Sequence, residues 1–500
     1  MILSKLVNSI KHHRIINMQE IDISGIAYNS KKCSNNFLFV AIKGVNADGN
    51  DFINDAISNG ATVIVTNNID SNISQLNIQQ NNIVFIEVED TRIVLAQLAN
   101  CFYNEPAKKL KIIGITGTNG KTTTTFLIKS ILEEAQKKVA IIGTTGIFID
   151  NKKIEATHTT PESLELAKLF NDIVQVGIEY VIMEVSSHSL VLNRVFGIDF
   201  FIGVFTNLTH EHLDFHKNFD EYAKAKKMLF DNLSEKSIAI INGDADYADF
   251  MLSHCKAKKR IISSNIIDAD YFISDIQIQK HCSSFTMKIN FPTVQTFEIN
   301  TQLTALFNVQ NAAAAIAVAF ELGIDYEKII QGIAKSKGAT GRLEHFALKN
   351  GATAYVDYAH TPDALEKSLI SCKKLITDAE NKGKLICVFG CGGDRDKSKR
   401  PVMGVISEKY SDVVIITNDN PRTENPENII NEILAGMDNN TINEKIQVIY
   451  SRSEAIKYAV SISIESDIIL VAGKGHENYQ IIGTEKHNFS DAKELAKYSI

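Results

Sequence analysis

The chain has 500 residues, 44% hydrophobic and 22% charged, the balance of a globular protein rather than a disordered or fibrous one. That length exceeds what one hydrophobic core fills, so about three domains are expected. The formal net charge of −7 argues against a nucleic-acid binder, but it leaves anionic small molecules open, because local Arg and Lys meet those.

The start, "MILSKLVNSIKHHRI", has no signal-peptide layout, and no apolar run is long enough to span a bilayer. A cytoplasmic location away from membranes is expected. The first stretch reads as a small α/β unit, with "NNFLFVAIKG" and "GATVIVTN" as strands and "DGNDFINDAISNGA" as a short helix between them. "NEPAKKLK" reads as a linker. From 111 the pattern becomes strand, loop, helix. "KIIGIT", "KVAIIGTTG", "YVIMEVSS" and "DFFIGVFTN" are apolar strands, and "KTTTTFLIKSILEEAQ" is a helix with Phe126, Leu127, Ser130, Ile131 and Ala135 near one face. All-apolar strands alternating with helices predict a mostly parallel sheet covered on both faces. "FNVQNAAAAIAVAFELG" is a long helix, and "SKGATGRLE" marks the next boundary. After it, "ATAYVDYAH", "KLICVFGCGGDRD", "DVVIITNDNPR" and "DIILVAGKGHE" each run from an apolar strand into a charged or glycine-bearing turn. In open parallel sheets, ligands bind outside such carboxyl ends. Seven scattered cysteines without paired spacing argue against a disulfide framework, and Cys387 and Cys391 read as buried strand residues rather than metal ligands.

"GITGTNGKTTT" raises the functional question. The usual phosphate loop, G-x-x-x-x-G-K-[ST], would place its first glycine at 115, where this chain has Ile. Gly117, Asn119 and Gly120 nevertheless lie between a strand and a helix, where backbone N–H groups and the helix dipole converge on phosphate. Lys121 would neutralise terminal phosphates, and Thr122 or Thr123 could reach Mg²⁺. In "FTNLTHEHLDFH", His210, His212, Asp214 and His216 crowd together. The run is similar to that of binuclear zinc hydrolases, except that Phe215 stands where a histidine is required. A single imidazole ligand to Mg²⁺ is the more economical reading, with Glu184 at a strand end as carboxylate ligand. Arg342, Arg395 and Arg422 are candidates for binding phosphate or carboxylate.

These stretches, with "THTTPESLEL", "MEVSSHSL", "DEYAKAKKMLF", "GRLE", "VDYAHTPDAL" and "FGCGGDRDKSKRPVMG", resemble the Mur ligases, ATP-dependent amide-forming ligases of peptidoglycan precursor synthesis. The resemblance covers nearly the whole chain and includes the shifted glycine spacing. It implies an α/β protein of three domains: a small UDP-sugar-binding unit (1–107), a central ATP-binding domain with a mostly parallel sheet (108–340), and a Rossmann-like amino-acid-binding domain (341–500). "DNPR" resembles the signature of the member that adds meso-2,6-diaminopimelate to UDP-N-acetylmuramoyl-L-alanyl-D-glutamate. Physical chemistry supports that choice, because selecting diaminopimelate over lysine calls for a cation facing the second carboxylate, and Arg422 fits.

Carried over residue by residue, the resemblance implies that Gly117, Thr118, Asn119, Gly120, Lys121, Thr122 and Thr123 hold the ATP phosphates. Asn308 and Arg342 would contact the nucleotide. Thr122, Glu184, His212 and Lys226 would hold Mg²⁺, with Lys226 carbamylated by CO₂, and Lys121, Lys226, His212 and Glu184 would be the catalytic set. Ser30, Thr159, Thr160, Ser186 and Arg194 would contact the UDP-sugar-peptide. Arg395, Asp419, Asn420, Pro421, Arg422, Gly473 and Glu477 would form the diaminopimelate pocket. The chain departs from the family pattern at Asn29–Ser30–Lys31, Leu192 and Glu211. A monomer acting on small molecules is expected. Four rival readings remain: a lysine-adding ligase, a folylpolyglutamate synthase-like ligase without the front domain, a zinc hydrolase, and a non-catalytic nucleotide binder.

Overall fold

Among the described residues three large β-sheets follow one another along the chain, each with its own core, and a two-stranded ribbon, Tyr479–Ile482 with Glu485–Asn488, follows the third. The computed structural model describes residues 1–44, 47–69, 82–150, 152–156, 158–209, 215–377, 383–438 and 444–500. The first sheet runs Arg14–Ile16, Val84–Glu87, Ala61–Thr66, Phe37–Val40, Gly25–Ala27, parallel except at the Arg14–Ile16 edge. The expected helix between its strands is Ile53–Ser58. "NEPAKKLK" is less free than a linker: it closes into a helical turn, Pro106–Lys109, that buries Pro106 and Ala107.

The second sheet has eleven strands. Its parallel middle is Tyr271–Ile278, Lys258–Ser263, Ile238–Asn242, Phe200–Phe205, Lys111–Thr116, Tyr180–Glu184 and Val139–Gly143. Antiparallel edges flank it: Ser283–Ile289 and Gln295–Thr301 on one side, Gly146–Ile149 and Lys152–Ile154 on the other. Those edges escape a reading based on all-apolar strands, because they are covered on one face only. Ser283–Ile289, for example, alternates buried and half-buried residues.

Lys111–Thr116 lies between strands that follow it in the chain on both sides, so the order reverses there, and the phosphate loop leaves its carboxyl end. The following helix, Lys121–Glu134, buries Thr122 to Thr125, Leu127, Ile128, Ile131 and Leu132. This is a wider face than the expected stripe, because the helices Leu306–Glu321 and Tyr326–Lys335 pack on it as well as the sheet. Gly114 is fixed by packing on the sheet's other face, since a Cβ there would sit 2.7 Å from the Phe200 ring.

The third sheet runs Glu344–Ala347, Thr353–Asp357, Ile468–Ala472, Leu385–Phe389, Val413–Ile416, Ile446–Val448, parallel apart from its first strand. The four predicted strands are all present, and their carboxyl ends share one edge. Cys387 and Cys391 are buried as expected, and burial pushes both thiols up to about 12. No helix among the described residues is long and apolar enough to cross a membrane.

Candidate functional site

The phosphate loop is shaped by two glycines. Gly117 and Gly120 have φ of 149° and 88°, and an added Cβ would lie 1.9 Å from Thr206 Oγ1 at 117 and 2.4 Å from Asn311 Oδ1 at 120. Neighbouring residues pin the loop. Thr118 N donates to Asn207 O (2.9 Å), Asn119 N donates to Asn207 Oδ1 (2.9 Å), and Thr206 Oγ1 donates to Asn119 O (2.6 Å). Two lysines converge on one carbonyl: Lys121 Nζ is 2.7 Å and Lys226 Nζ 2.8 Å from Gly117 O. Lys226 is 2% exposed, and its ammonium lies 4.5 Å from the centre of the Tyr222 ring.

Beside the loop is a cluster of oxygen donors. Thr122 Oγ1 donates to Glu184 Oε1 at 2.9 Å, and Thr144 gives its N–H to the same oxygen (3.0 Å) and its hydroxyl to Oε2 (3.0 Å). Gly143 is required here, because a Cβ would lie 2.4 Å from Glu184 Oε1. Hard oxygen ligands of this kind suit Mg²⁺, so Thr122 and Glu184 fit the expected metal. Lys226 as an ammonium is a donor and would become an oxygen ligand only as a carbamate. His210, His212 and Asp214 lie outside the described residues. His216 is buried, with Nε2 2.9 Å from Ser187 Oγ.

A cavity of about 460 Å³ runs from this cluster to the third sheet. The loop residues Thr118 to Thr123, with Glu184, Lys226 and Asn311, line one wall; Arg342, Tyr358, His360 and Thr361 line the other. The Arg342 guanidinium lies over the Tyr358 ring at 4.7 Å and donates to Thr122 Oγ1 at 3.4 Å, so it reaches across the two domains. Asp363 also crosses: its Oδ2 accepts from Asn119 Nδ2 (3.0 Å) and Thr209 Oγ1 (2.8 Å). Burial pushes the Asp357 carboxyl up, opposed by Arg342. Burial, then Arg342, Lys153 and His360, push the His476 imidazole down to about 4. Asn308 is 1% exposed and is occupied within its helix, donating to Thr304 O (2.8 Å) and accepting from Asn311 (3.2 Å). It is Asn311, one turn on, that lines the cavity.

The residues expected to contact the UDP-sugar-peptide divide into two groups. Thr159, Thr160, Ser186 and Arg194 lie together: Thr159 Oγ1 is 3.1 Å from Thr144 Oγ1, Thr160 Oγ1 donates to Glu184 O (2.8 Å), and Arg194 Nη1 donates to Thr160 O (3.1 Å). Ser186 caps the turn Ser187–Val191, accepting from Ser189 N. Ser30 lies instead on the first sheet's side, buried, with its carbonyl accepting from Asn59 Nδ2 (3.0 Å). The first domain is tied to this region by Glu162, which lies 3.2 Å from Arg92 and 2.8 Å from Arg194, and by Tyr28 donating to Glu165 (2.6 Å).

The third sheet's edge carries a polar pocket. Asp419 to Arg422 leave Val413–Ile416, and Gly473 to Glu477 leave Ile468–Ala472. Gly473 has φ 113°, and a Cβ there would lie 2.8 Å from Asp419 Oδ2. Arg422 holds an unusual left-handed backbone, φ 51°, fixed by its N–H to Ile481 O (3.1 Å) and by Gly483 N to its own carbonyl (2.8 Å). Non-glycine residues in that region carry strain and concentrate at binding sites. Arg422 Nη1 donates to Gly393 O at 2.6 Å, and no carboxylate among the described residues pairs with its guanidinium. Gly393 admits this loop, since a Cβ would lie 1.9 Å from Pro421 O. Glu477 Oε2 accepts from Asn420 Nδ2 (2.9 Å) and Lys474 Nζ (2.8 Å). Arg395 is exposed at the mouth, donating to its neighbour Asp394 O (2.9 Å). Sequence reasoning passed over Lys474, although it sits inside the quoted "AGKGHE", and it also missed Thr144, Asn207 and Tyr358, which lie inside the quoted "KVAIIGTTG", "FTNLTHEHLDFH" and "VDYAHTPDAL" but were not singled out there.

A glycine-shaped phosphate loop at a sheet's switch point, facing a second α/β domain whose strand ends carry a cluster of charged and polar side chains, defines a nucleotide-dependent ligase of several domains. The chain belongs to the Mur ligase family and is an ATP-dependent ligase. Residues 22–103 match the Mur ligase family catalytic domain, 115–319 the Mur ligase middle domain, and 341–475 the Mur ligase glutamate ligase domain. It is 42% identical to UDP-N-acetylmuramoyl-L-alanyl-D-glutamate–2,6-diaminopimelate ligase 1 of Clostridium acetobutylicum, over 99% of this chain and 98% of that one. It is also 42% identical to the ligase of that name from Caldanaerobacter subterraneus subsp. tengcongensis, with the same coverage of both chains. A solved structure of a UDP-N-acetylmuramoyl-L-alanyl-D-glutamate–2,6-diaminopimelate ligase superposes with TM-score 0.67 at 32% identity, covering 95% of this chain and 94% of that one.

Proposed function

We propose that the chain joins meso-2,6-diaminopimelate to UDP-N-acetylmuramoyl-L-alanyl-D-glutamate, converting ATP to ADP and phosphate through an acyl phosphate, a step of peptidoglycan precursor synthesis. The observation that carries the choice of amino acid is the pairing, at one sheet edge, of an Arg422 guanidinium that meets no carboxylate among the described residues and the carboxylate of Glu477. Diaminopimelate brings a carboxylate for the first and an ammonium for the second. With lysine, Arg422 would be desolvated without a counter-charge, a cost of several kcal/mol. The full-length identity to ligases of that name supports the same choice.

In this reading residues 1–107 hold the UDP-sugar, 108–340 ATP, and 341–500 the amino acid. The loop from Gly117 to Thr123, through N–H groups at the helix start, and the Lys121 ammonium bind the phosphates. Asn311, rather than Asn308, offers a carboxamide to the nucleotide, and Arg342 reaches it from the opposite wall. Thr159, Thr160, Ser186 and Arg194 orient the D-Glu γ-carboxylate, with Ser30 on the uridine side. That carboxylate oxygen bonds to the γ-phosphorus as the bond from phosphorus to the ADP oxygen breaks. Lys121 offsets the charge that passes to the β-phosphate. The diaminopimelate amine then attacks the acyl carbon, phosphate leaves, and the amine proton is lost. Thr122, Glu184, His212 and a carbamylated Lys226 would hold Mg²⁺, which when bound supplies charge neutralisation along the phosphates. Arg342 and Asp363, reaching across the two domains, favour a closed arrangement that keeps water from the acyl phosphate.

The test is phosphate release with ATP, the UDP-sugar dipeptide and either diaminopimelate or L-lysine. Release that depends on diaminopimelate is expected. Equal or faster turnover with lysine would overturn the amino-acid choice, and no release with either would overturn the reaction.

A further inference from the structure

Lys474 has a role that none of the expected site residues fills. Its side chain is 0% exposed, and its Nζ lies 3.0 Å from Asn420 Oδ1 and 2.8 Å from Glu477 Oε2. A fully buried ammonium is costly unless it is paired. Both of these hydrogen-bond partners belong to the amino-acid pocket, and the ammonium also lies 5.7 Å from the centre of the Tyr479 ring.

The hydrogen bonds run in one direction. Asn420 Oδ1 accepts from Lys474 Nζ and from Ile481 N (2.9 Å), which fixes the amide orientation, because a flipped amide would set its NH₂ against an ammonium and an N–H. Asn420 Nδ2 therefore points at Glu477 Oε2, 2.9 Å away. That oxygen takes two donors. Glu477 Oε1 takes none among the described residues, and it is not sealed from solvent. The turns that bring Lys474 underneath depend on Gly473 and Gly475, with φ of 113° and 50°.

We propose that Lys474 is a positioning residue of the amino-acid pocket: its ammonium locks Asn420 and Glu477 so that Glu477 presents Oε1 to the ammonium of the incoming amino acid. This rests on reading the pocket as the diaminopimelate site. Lys474 acts through Glu477, so its loss raises the KM for the amino acid and leaves the phosphoryl-transfer machinery in place.

The experiment is a double-mutant cycle on the full chain with Lys474→Met and Glu477→Gln, measuring kcat and the KM for each substrate. Lys474→Met is expected to raise the KM for diaminopimelate at least tenfold, with kcat within threefold and the KM for ATP within twofold. The double variant is expected to be no worse than Glu477→Gln alone. An unchanged KM, or two effects that multiply, overturns the proposal. If Lys474→Met does not fold, Lys474→Gln, which keeps a donor but no charge, enters the same cycle under the same criteria. If the wild-type enzyme prefers lysine, the reading of the pocket fails. The coupling of Lys474 to Glu477 is then measured with lysine, whose ammonium makes the same demand on Oε1.

Discussion

The phosphate loop and the amino-acid pocket handle charge in opposite ways. The loop is built from backbone: two left-handed glycines, N–H groups at a helix start, and carbonyls that hold Lys121 and Lys226. The pocket is built from side chains delivered by separate strand ends, with one buried lysine holding an amide and a carboxylate in register. A backbone site tolerates little added volume and binds any chain of phosphates. A side-chain site can be changed one group at a time, and there one substrate is told from its close relative. The family's shared chemistry therefore belongs in the loop, and the choice of amino acid belongs in the pocket.

The largest expected contrast comes from removing the loop's cation. Lys121→Ala should lower phosphate release by about 10³-fold or more, on the scale of lost transition-state charge stabilisation. Its ammonium faces the cavity and donates to the loop carbonyls of Gly117 and Thr118, so the thermal midpoint should move far less than the rate. Residual turnover within tenfold of wild type would remove Lys121 from the phosphoryl transfer.

Arg422→Ala should be more selective. Losing one charge-assisted contact is worth about 2–3 kcal/mol, or roughly 100-fold in the KM for diaminopimelate, with the KM for ATP unchanged. If both constants rise together, the pocket and the loop are not separable and the contrast drawn above fails.

The smallest expected effect is in pH. Burial and nearby cations hold His476 at about 4, and burial also lowers His281 and His345. Histidines lowered in the folded state contribute stability that is full above the unfolded value near 6.5 and is lost as pH falls toward the folded value, because the unfolded chain takes up protons that the folded chain refuses. The thermal midpoint should therefore drop between about pH 6.5 and 4. His476→Gln should flatten that slope, as read by thermal unfolding across the range. Carboxylates such as Glu424, held at about 2 chiefly by Arg400, act in a lower window, from the ordinary carboxylate value down. An unaltered slope would show that His476 does not titrate as its surroundings imply.

Much of the molecule was legible from local pattern. The apolar strands from Lys111–Thr116 to Ile468–Ala472 lie where continuous hydrophobic runs put them, because strands covered on both faces carry few polar residues, and those, such as Glu184, sit at their ends. The half-covered strands between Lys258 and Thr301, two in the parallel run and two at its antiparallel edge, were missed for the converse reason. Asn308 shows a finer limit. Its motif is readable, but which asparagine of a helix meets the cavity depends on rotation about the helix axis, and here that is Asn311.

By itself the sequence determined a phosphate-binding loop, because Gly117, Gly120 and Lys121 between an apolar strand and a helix set backbone conformation and a helix start, which are local properties; the ligase chemistry was implied by the resemblance of its motifs to a family. It also marked Arg422 and Glu477 as chemically suitable partners for diaminopimelate. Only the tertiary structure decided that Arg342 and Asp363 reach across the domains, that Glu162 ties Arg92 to Arg194, and that Lys474 sits buried beneath Asn420 and Glu477. The physical reason is range. Conformation is encoded within a few residues, but which oxygen of a carboxylate is paired and which is offered depends on groups brought together from distant parts of the chain, where burial fixes the sign and strength of each charge.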